Sequence, residues 1–421
     1  MPRRRRQFHQ HSLKQAASPT RPSCEPQMCK PGSLCDRCVS DQRFLRSKQR
    51  PIIGDNLPVI TAADIFSGCG GMSLGLQEAA RRAGLNLRIA LAIDSDSQVA
   101  DIYKRNIDHG IGVADITTLF EGEIGDKPTF RERQLAASAG SIHILQGGPP
   151  CQGHSDLNNH TRRRDPKNSL YLSMVRAAEI LRPDVVVIEN VAPVQWDRSG
   201  VVSTTTKVLN SLGYSVDARV LDLWTVGVPQ RRRRFVLLAS RNPSVDPMVI
   251  LDSLATDWGD HSARTVRWAV EDLVNIPTAT VFDTSSKKNK ENAARMAFLF
   301  ETGRYNLPNK QRPNCHKDGN HSYVSVYGRL RWDRPAQTIT TGFGSMGQGR
   351  YVHPQRRRTI TPHEAARLQT FPDWFDFGKS TPRGVLAKAI GNAVPPLLMV
   401  ELGRHLVAAL AQSTEVPIGR K

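Results

Sequence analysis

Residues 59–71 read VITAADIFSGCGG, an apolar run that ends in a polar turn containing three glycines. The apolar run predicts a buried strand, and the glycines permit positive φ and a close approach of a ligand to the backbone. Similar short apolar runs alternate with amphipathic stretches up to about residue 240. This alternation is typical of βαβ units, so we predict an α/β fold with a doubly wound, mostly parallel sheet that helices cover on both faces.

The pattern divides the chain into regions. Strands are predicted at 59–66, 88–93, 141–145, 184–188, 214–221 and 235–239, with helices at 74–83 and 170–181. Over 59–240 we therefore expect the main domain, whereas the polar stretch at 241–325 predicts a smaller, irregular domain. Regular sequence patterns return over 326–412. There TPHEAARLQ predicts a helix with Pro in its first turn, and GNAVPP begins a last helix.

The composition indicates an anionic partner. Among 421 residues, 58 are Lys or Arg and 39 are Asp or Glu, which gives a net charge of +19 and a pI near 10.0. Basicity alone does not choose between DNA, RNA and anionic lipid. Apolar runs stay below the roughly 18 residues that cross a bilayer, and the start MPRRRRQFHQHSLK lacks the apolar region of a signal peptide. We expect a soluble cytosolic protein with no membrane partner.

Residues 1–50 form a basic arm that carries twelve basic and three acidic residues. Its cysteines, Cys24, Cys29, Cys35 and Cys38, have the spacing C-x4-C-x5-C-x2-C, of which the last pair alone has a standard zinc spacing. A structural zinc site is one interpretation. The surrounding Arg, Ser, Pro and Gln favour the other, a disordered arm that adds salt-sensitive affinity for phosphates.

Polar residues recur at the carboxyl ends of the predicted strands, where open parallel sheets bind ligands. The glycine turn is not the dinucleotide fingerprint, because Ser73 stands where that pattern needs glycine. Asp94 ends the second strand at a spacing suited to ribose hydroxyls, and Asp115 offers another acceptor at the same edge. Each acid could instead cap a helix. Together they fit an adenosine ligand without phosphates.

Three further segments carry candidate chemistry. The strand at 141–145 leads into GGPPCQGHS, whose two prolines deliver Cys151 in a stiff turn; a nucleophilic role for this thiol needs a positive neighbour or a base. Glu189 follows four apolar residues, where a carboxyl can retain a proton and donate it, although a cap or an ion pair is equally open. In QRRRR, strand alternation puts Arg232 and Arg234 on one face, so that one arginine pair can line a pocket.

With the glycine turn, PCQ, ENV and Q-x-R-x-R in this order, the sequence resembles the DNA cytosine-5 methyltransferases of bacteria and phages. The match is specific, because eight motifs of that family occur in the family's order, at 64–71, 94, 115–116, 148–152, 189–191, 230–234, 334–340 and 391–396. The resemblance implies a Rossmann-like fold, with 241–325 as target recognition domain. Lys167 departs from the Arg that the family often has there, and the Cys-containing arm has no counterpart.

The resemblance also implies the reaction and its residues. Cys151 would add to carbon 6 of a cytosine that has swung out of double-stranded DNA, Glu189 would act on ring nitrogen 3, and Arg234 and Arg232 would bind the carbonyl oxygen or a nearby phosphate. The expected binding residues for the donor, S-adenosylmethionine, are Phe66, Ser67, Gly68, Gly70, Gly71, Asp94, Asp115, Ile116, Pro149 and Asn392. The expected DNA-binding residues are Gln152, Ser155, Arg162, Arg163, Arg164 and Gln230.

Competing functions remain at this stage. A nucleic-acid-binding protein with a decayed site is disfavoured by the intact Cys151 and Glu189. A transfer RNA substrate is disfavoured by the long insert and the GNAVPP end, and a nicotinamide oxidoreductase by Ser73. We expect a monomer in the cytoplasm, associated with the nucleoid, that acts beside a restriction endonuclease or as an orphan enzyme.

Overall fold

The computed structural model describes residues 34–54, 56–108, 110–150, 170–256, 263–317 and 325–413. Within these ranges, a seven-stranded sheet has the order β3-β2-β1-β4-β5-β8-β6, and β7 pairs with β9 in a small second sheet. The strands are β1 (Val59–Ile65), β2 (Asn86–Asp94), β3 (Gly112–Val113), β4 (Ile144–Gly147), β5 (Val185–Val191), β6 (Ser215–Asp222), β7 (Gln230–Arg231), β8 (Arg233–Ser240) and β9 (Ala336–Gln337). The first five strands of the sheet pair in parallel, and β8 pairs antiparallel with both β5 and β6.

Helices cover both faces of this sheet, so the predicted doubly wound α/β class is confirmed. The helices are α1 (Asp36–Arg46), α2 (Gly71–Arg82), α3 (Ser97–Asn106), α4 (Phe130–Ala139), α5 (Leu170–Leu181), α6 (Val201–Ser211), α7 (Pro247–Thr256), α8 (Val266–Val270), α9 (Lys290–Glu301), α10 (Pro362–Leu368), α11 (Arg383–Asn392) and α12 (Pro396–Ser413). Alternate residues of β5 divide between two cores: Val185 and Val187 pack with α2 and α12, whereas Val186 and Ile188 pack with α5 and α6. Burial on both faces explains why residues 185–188 of β5 are all apolar.

One predicted strand is displaced. The sequence predicts a strand at 141–145, and β4 instead runs over Ile144–Gly147. Side chains take part in the contacts before it: the Thr61 backbone N–H donates to His143 Nδ1 at 3.1 Å, and the Thr61 hydroxyl donates to the Ser141 carbonyl at 2.6 Å. His143 also donates its backbone N–H to the Thr61 carbonyl at 3.0 Å, and the regular strand begins at the next residue.

The C-terminal helix packs closely against the first helix after the glycine turn. A Cβ at Gly75 would lie 2.2 Å from the Pro396 carbonyl oxygen, and a Cβ at Gly71 would lie 2.2 Å from the Val394 carbonyl oxygen. Both distances are far inside van der Waals contact, so α2 requires glycine at these positions. The start of α12 is thereby fixed beside the turn predicted to bind the donor.

Residues 34–50 correct the expectation of a disordered arm, because they form α1 and pack against the main domain. Asp41 is 1% exposed and accepts from the fully buried Arg264 at 2.7 Å, and Phe44 and Leu45 enter the large core. Trp268 Nε1 donates to the Cys38 carbonyl at 3.3 Å. Residues 1–33 lie outside the described part of the chain.

A small separate core is shared by the insert and the segment that follows it. Its buried side chains come from α9 and from segments on both sides of the undescribed residues 318–324; they are Met296, Leu299, Leu307, Val326, Tyr327, Met346 and Val352. The sequence boundaries at 241–325 and 326–412 stay predictions, since this core draws residues from both regions.

The stretch Arg383–Ala411 is long and apolar enough to cross a membrane, with a mean hydropathy of 1.4 over its most apolar window. However, 72% of that window is buried inside the fold. The stretch also divides into α11 and α12 at Ala393, Val394 and Pro395. Burial of this kind is typical of core helices, and we assign the stretch to the core.

Candidate functional site

The glycine turn connects β1 to α2 at the carboxyl end of the sheet. Phe66, Gly68 and Gly70 have φ of 59°, 55° and 95°, so three residues of the turn adopt the left-handed region. For Phe66 this conformation is costly, and such strain persists where the surroundings hold it. A Cβ built at Gly68 meets no atom within 4 Å, so this side of the turn faces open space. Ser67 anchors the turn by donating its backbone N–H to the Ile93 carbonyl at 3.1 Å.

Asp94 joins this turn to the start of α3. Its Oδ2 accepts from the Gly68 N–H at 2.8 Å and its Oδ1 from the Asp96 N–H at 2.9 Å. The carboxylate stays half-exposed. Asp115 caps a short 3-10 turn by accepting from the Thr117 N–H at 2.9 Å, and its side chain is exposed. Both carboxylates thus lie at the expected sheet edge and also cap local structure.

The other predicted donor residues are placed as follows. Gly70 is the N-cap of α2 with φ of 95°, and Gly71 begins that helix. Ile116 is buried in the core beside α5, which leaves its backbone rather than its side chain available. Pro149 is buried, and its carbonyl accepts from Asn190 Nδ2 at 3.3 Å. Asn392 is exposed at the end of α11.

A buried polar network lies behind the glycine turn, and sequence reasoning missed it. Ser73 Oγ contacts Asp64 Oδ2 at 2.5 Å, Tyr103 Oη at 2.9 Å and Gln146 Nε2 at 3.1 Å. Burial raises the pKa of Asp64 to about 7 and raises the pKa of Tyr103 well above its usual range. Ser73, read from the sequence as a departure from the dinucleotide pattern, thus ties α2 to β1 and β4.

Glu189 and Arg234 meet at the carboxyl end of β5. Arg234 Nε lies 2.7 Å from Glu189 Oε1, and the two side chains are 13% and 9% exposed. Val191 and Arg234 are register partners of β5 and β8, so the strand pairing itself brings this arginine to the carboxylate. Glu189 Oε2 lies 3.5 Å from the position that a Cβ at Gly148 would take. A paired acid and base therefore adjoin the segment that leads into Cys151.

Arg232 does not join this pair. It is 2% exposed, and its guanidinium donates to the carbonyls of Ile339 at 2.8 Å and Ala393 at 3.1 Å. Arg232 lies between β7 and β8, and its side chain points into the core. We therefore correct the expectation that Arg232 binds the base and assign it to holding the turn before α12.

Gln230 is likewise a structural residue and not an exposed DNA contact. Its side chain is completely buried; Nε2 donates to the Leu368 carbonyl at 2.9 Å and to Gln369 Oε1 at 2.7 Å. Its Oε1 accepts from the Ile339 N–H at 3.0 Å. Since these bonds use its amide within the protein, the expectation that Gln230 contacts DNA is corrected.

Several predicted residues fall outside the described part of the chain: Cys151, Gln152, Ser155, Arg162, Arg163, Arg164 and the departure at Lys167. The same holds for Cys24 and Cys29. In the described ranges, no group of three or more His, Cys, Asp or Glu side chains is arranged to hold a metal ion. Cys35 Sγ accepts from the Cys38 N–H at 3.4 Å, and Cys38 Sγ accepts from Arg264 Nε at 3.1 Å.

Comparison with known proteins decides the family. The model of the C-5 cytosine-specific DNA methylase family matches residues 60–408. The chain belongs to this family. It is therefore a DNA (cytosine-5)-methyltransferase of the class that uses S-adenosylmethionine, as the resemblance implied.

Relatives of this methyltransferase match most of its length. Type II methyltransferase M1.BsuMI of Bacillus subtilis is 43% identical over 366 residues, which cover 87% of this chain and 84% of the relative. Type II methylase M.HgiDII of Herpetosiphon aurantiacus is 29% identical, over 84% of this chain and 95% of the relative. The crystal structure of a Spodoptera frugiperda DNMT2 mutant has a TM-score of 0.56 at 17% identity, over 83% of this chain and 99% of that one, and supports the fold alone.

Proposed function

We propose that this methyltransferase modifies cytosine in a specific double-stranded DNA sequence through a transient covalent bond from Cys151 to a base everted from the helix. The observation that carries the proposal is the Glu189–Arg234 pair, 2.7 Å apart, at the strand ends beside Gly148. Pro149 follows directly and leads to Cys151. A carboxyl held by a guanidinium beside a nucleophile suits addition to a pyrimidine ring.

The residues around the glycine turn fit the donor. Gly68 offers open space beside the backbone, and the half-exposed Asp94 carboxylate lies at the same edge, where ribose hydroxyls can bind it. We assign Phe66, Ser67, Gly70, Gly71, Asp115, Ile116, Pro149 and Asn392 to the remainder of this site. S-adenosylmethionine supplies the methyl group when it is bound.

The chemistry of the cytosine ring explains the separate roles of Cys151, Glu189 and Arg234. Carbon 5 of cytosine is a poor nucleophile, but addition of the Cys151 thiolate to carbon 6 pushes an electron pair toward ring nitrogen 3. Glu189 in its protonated form donates a proton or hydrogen bond to that nitrogen, and Arg234 holds the carboxyl group and binds the ring carbonyl oxygen. After carbon 5 gains the methyl group it releases its proton to water, the electron pair of that bond forms the 5,6 double bond and expels the thiolate, and nitrogen 3 returns its proton to Glu189.

The base must leave the stacked helix to reach these groups, as base-modifying enzymes require. We assign Gln152, Ser155 and Arg162–Arg164 to gripping the displaced strand, and the region 241–325 to sequence recognition. The net charge of +19 supports an additional, sequence-independent attraction to phosphates.

The biological setting that we infer is Type II modification in the bacterial cytoplasm, in association with the nucleoid. This inference is supported by the names of the two relatives, both Type II enzymes. We further propose that the enzyme acts as a monomer, alongside a restriction endonuclease or as an orphan. Bisulfite sequencing of DNA from cells that express the chain would give the modified sequence.

Covalent trapping tests the mechanism. Double-stranded oligonucleotides in which 5-fluorocytosine replaces cytosine should form a denaturation-resistant adduct with the wild-type enzyme and donor, because fluorine blocks loss of the carbon-5 proton. Cys151→Ser should abolish the adduct, while Cys315→Ser should retain it. Absence of an adduct with target-containing DNA that is methylated in its unfluorinated form would refute the covalent step, and methylation of transfer RNA in preference to DNA would refute the substrate.

A further inference from the structure

Arg329 carries a buried positive charge that the mechanism above does not use. The residue is 9% exposed, and its backbone N–H donates to the Tyr305 carbonyl at 2.9 Å. In the described part of the chain its guanidinium makes no hydrogen bond or ion pair, and Nε is enclosed without a partner. Because a buried charge that is not paired is costly, we expect this guanidinium to bind an anion.

Two aromatic rings hold the guanidinium of Arg329. Its central carbon lies 4.6 Å from the ring centroid of Phe300, at the end of α9, and 4.4 Å from that of Tyr305. Stacking on these rings offsets part of the cost of burial and fixes the plane of the guanidinium. The rings offer no oxygen as an acceptor, so the N–H groups stay available to a ligand.

Two further guanidiniums surround Tyr305. Arg331 lies over its ring at 4.6 Å, and Arg350 donates to the carbonyls of Tyr305 at 2.9 Å and Arg329 at 3.1 Å. Burial and the nearby Arg331 both lower the pKa of Arg350. Among the described residues, the one carboxylate paired with these three arginines is Asp333, at 3.2 Å from Arg331. The excess of positive charge favours an anionic ligand over a neutral one.

The chain connects this arginine cluster to the catalytic edge of the sheet. Ala336 of β9 is the register partner of Gln230 in β7, and Arg234 follows four residues later. Since Arg329 precedes Ala336 by seven residues, the two arginines are at most about 45 Å apart. Duplex DNA repeats about every 34 Å along its axis. A duplex whose target base reaches Arg234 therefore has phosphates within range of Arg329.

We propose that Arg329, together with Arg331 and Arg350, binds a phosphate of the DNA backbone in the sequence that flanks the target base. This inference rests on the proposed function, in which the substrate is double-stranded DNA. A guanidinium whose plane is already fixed presents parallel N–H groups that match two phosphate oxygens. The contact contributes affinity and sets the register of the duplex on the enzyme.

The first test is Arg329→Met, which keeps an unbranched apolar stem against the two rings and removes the charge. The probe is a duplex that carries the sequence found by bisulfite sequencing, and Kd is measured by fluorescence anisotropy from 50 to 200 mM salt. We expect about tenfold weaker binding at the lowest salt and a salt slope that is shallower by about one. The urea midpoint should stay the same or rise, because an unpaired buried charge is lost.

Arg241→Met is the matched control for the change in net charge. Arg241 is exposed and lies 3.2 Å from Asp184, at the edge of the sheet opposite to Glu189. This variant should retain the wild-type Kd and salt slope. Wild-type values of both in Arg329→Met would overturn the proposal.

A methylphosphonate scan identifies the ligand, since each duplex then has one phosphate replaced by a neutral group. For the wild type, replacement of the contacted phosphate should weaken binding about tenfold, and in Arg329→Met the same replacement should have no further effect. Identical profiles for the two proteins would assign Arg329 to packing and overturn the proposal. A relaxed base preference with an unchanged salt slope would also overturn it, because it would indicate contact with a base edge.

Two further measurements separate this inference from folding and from the proposed function. Arg331→Gln changes an exposed side chain, and should weaken the dependence on the same phosphate about threefold; a wild-type scan in this variant would contradict the site even if Arg329→Met fails to fold. At saturating duplex, Arg329→Met should retain the wild-type single-turnover rate. Failure of the wild type to bind or methylate duplex DNA would instead refute the proposed function.

Discussion

Asp64→Asn tests whether a neutral acid lies behind the glycine turn. Asp64 and Gln146 are register partners of β1 and β4, and Asp64 Oδ1 and Gln146 Oε1 are both buried without a hydrogen-bond partner in the described structure. Two acceptors that share a small buried space are satisfied if the carboxyl carries a proton and donates it. Asparagine has the same shape and supplies that donor permanently through its amide group.

The magnitude follows from the pKa of Asp64, which burial raises from 3.8 to about 7. The folded state then binds a proton that the unfolded state releases, so the free energy of unfolding falls as pH rises from about 4 to 7 and levels off above that. At 1.36 kcal/mol per pKa unit the complete loss is about 4 kcal/mol, of which about 3 kcal/mol falls between pH 5 and pH 8.

The assay is urea unfolding at pH 5 and pH 8, followed by circular dichroism. Wild-type enzyme should lose about 3 kcal/mol more than Asp64→Asn over this interval, because the variant has no group to titrate there. Asp101→Asn, a substitution at a side chain that is 61% exposed, should follow the wild type. Parallel behaviour of wild type and Asp64→Asn at both pH values would refute a protonated Asp64.

Three further substitutions test other parts of the structure. Asp41→Ala should lower the free energy of unfolding by about 3–5 kcal/mol because it leaves the fully buried Arg264 without its carboxylate, whereas Asp36→Ala should change it little; equal urea midpoints would show that α1 is not part of the fold. Arg232→Lys should weaken donor binding severalfold in calorimetric titration, since a lysine cannot bond several carbonyls of the turn before α12 at once, and unchanged affinity would contradict that assignment. Asp94→Asn should weaken donor binding more than tenfold but leave DNA binding in gel-shift assays intact, and a loss of both would indicate general unfolding.

Local patterns predicted the elements that local forces determine. The helix predicted at 170–181 coincides with α5, and the strand predicted at 59–66 differs from β1 by one residue. Each is amphipathic or continuously apolar and ends in a polar segment, so the sequence itself contains the signals.

The partners of two charged residues could not be predicted from the sequence, because contacts between distant segments determine them. Strand alternation correctly put Arg232 and Arg234 on a shared face, yet it could not tell that the Ile339 and Ala393 carbonyls would draw Arg232 into the core. Asp41 looked like an ordinary acid in a basic arm, because its partner Arg264 is 223 residues away. Such partners become visible only after folding brings distant segments together.

The two glycine contacts of α2 have a consequence for biosynthesis. The carbonyl oxygens of Val394 and Pro396 pack against the backbone of Gly71 and Gly75, so the first half of the domain cannot complete its packing before α12 is synthesised. We therefore expect active enzyme to form only after α12 has left the ribosome. By the same reasoning, a truncated chain and a separately expressed fragment containing α12 should restore activity by complementation.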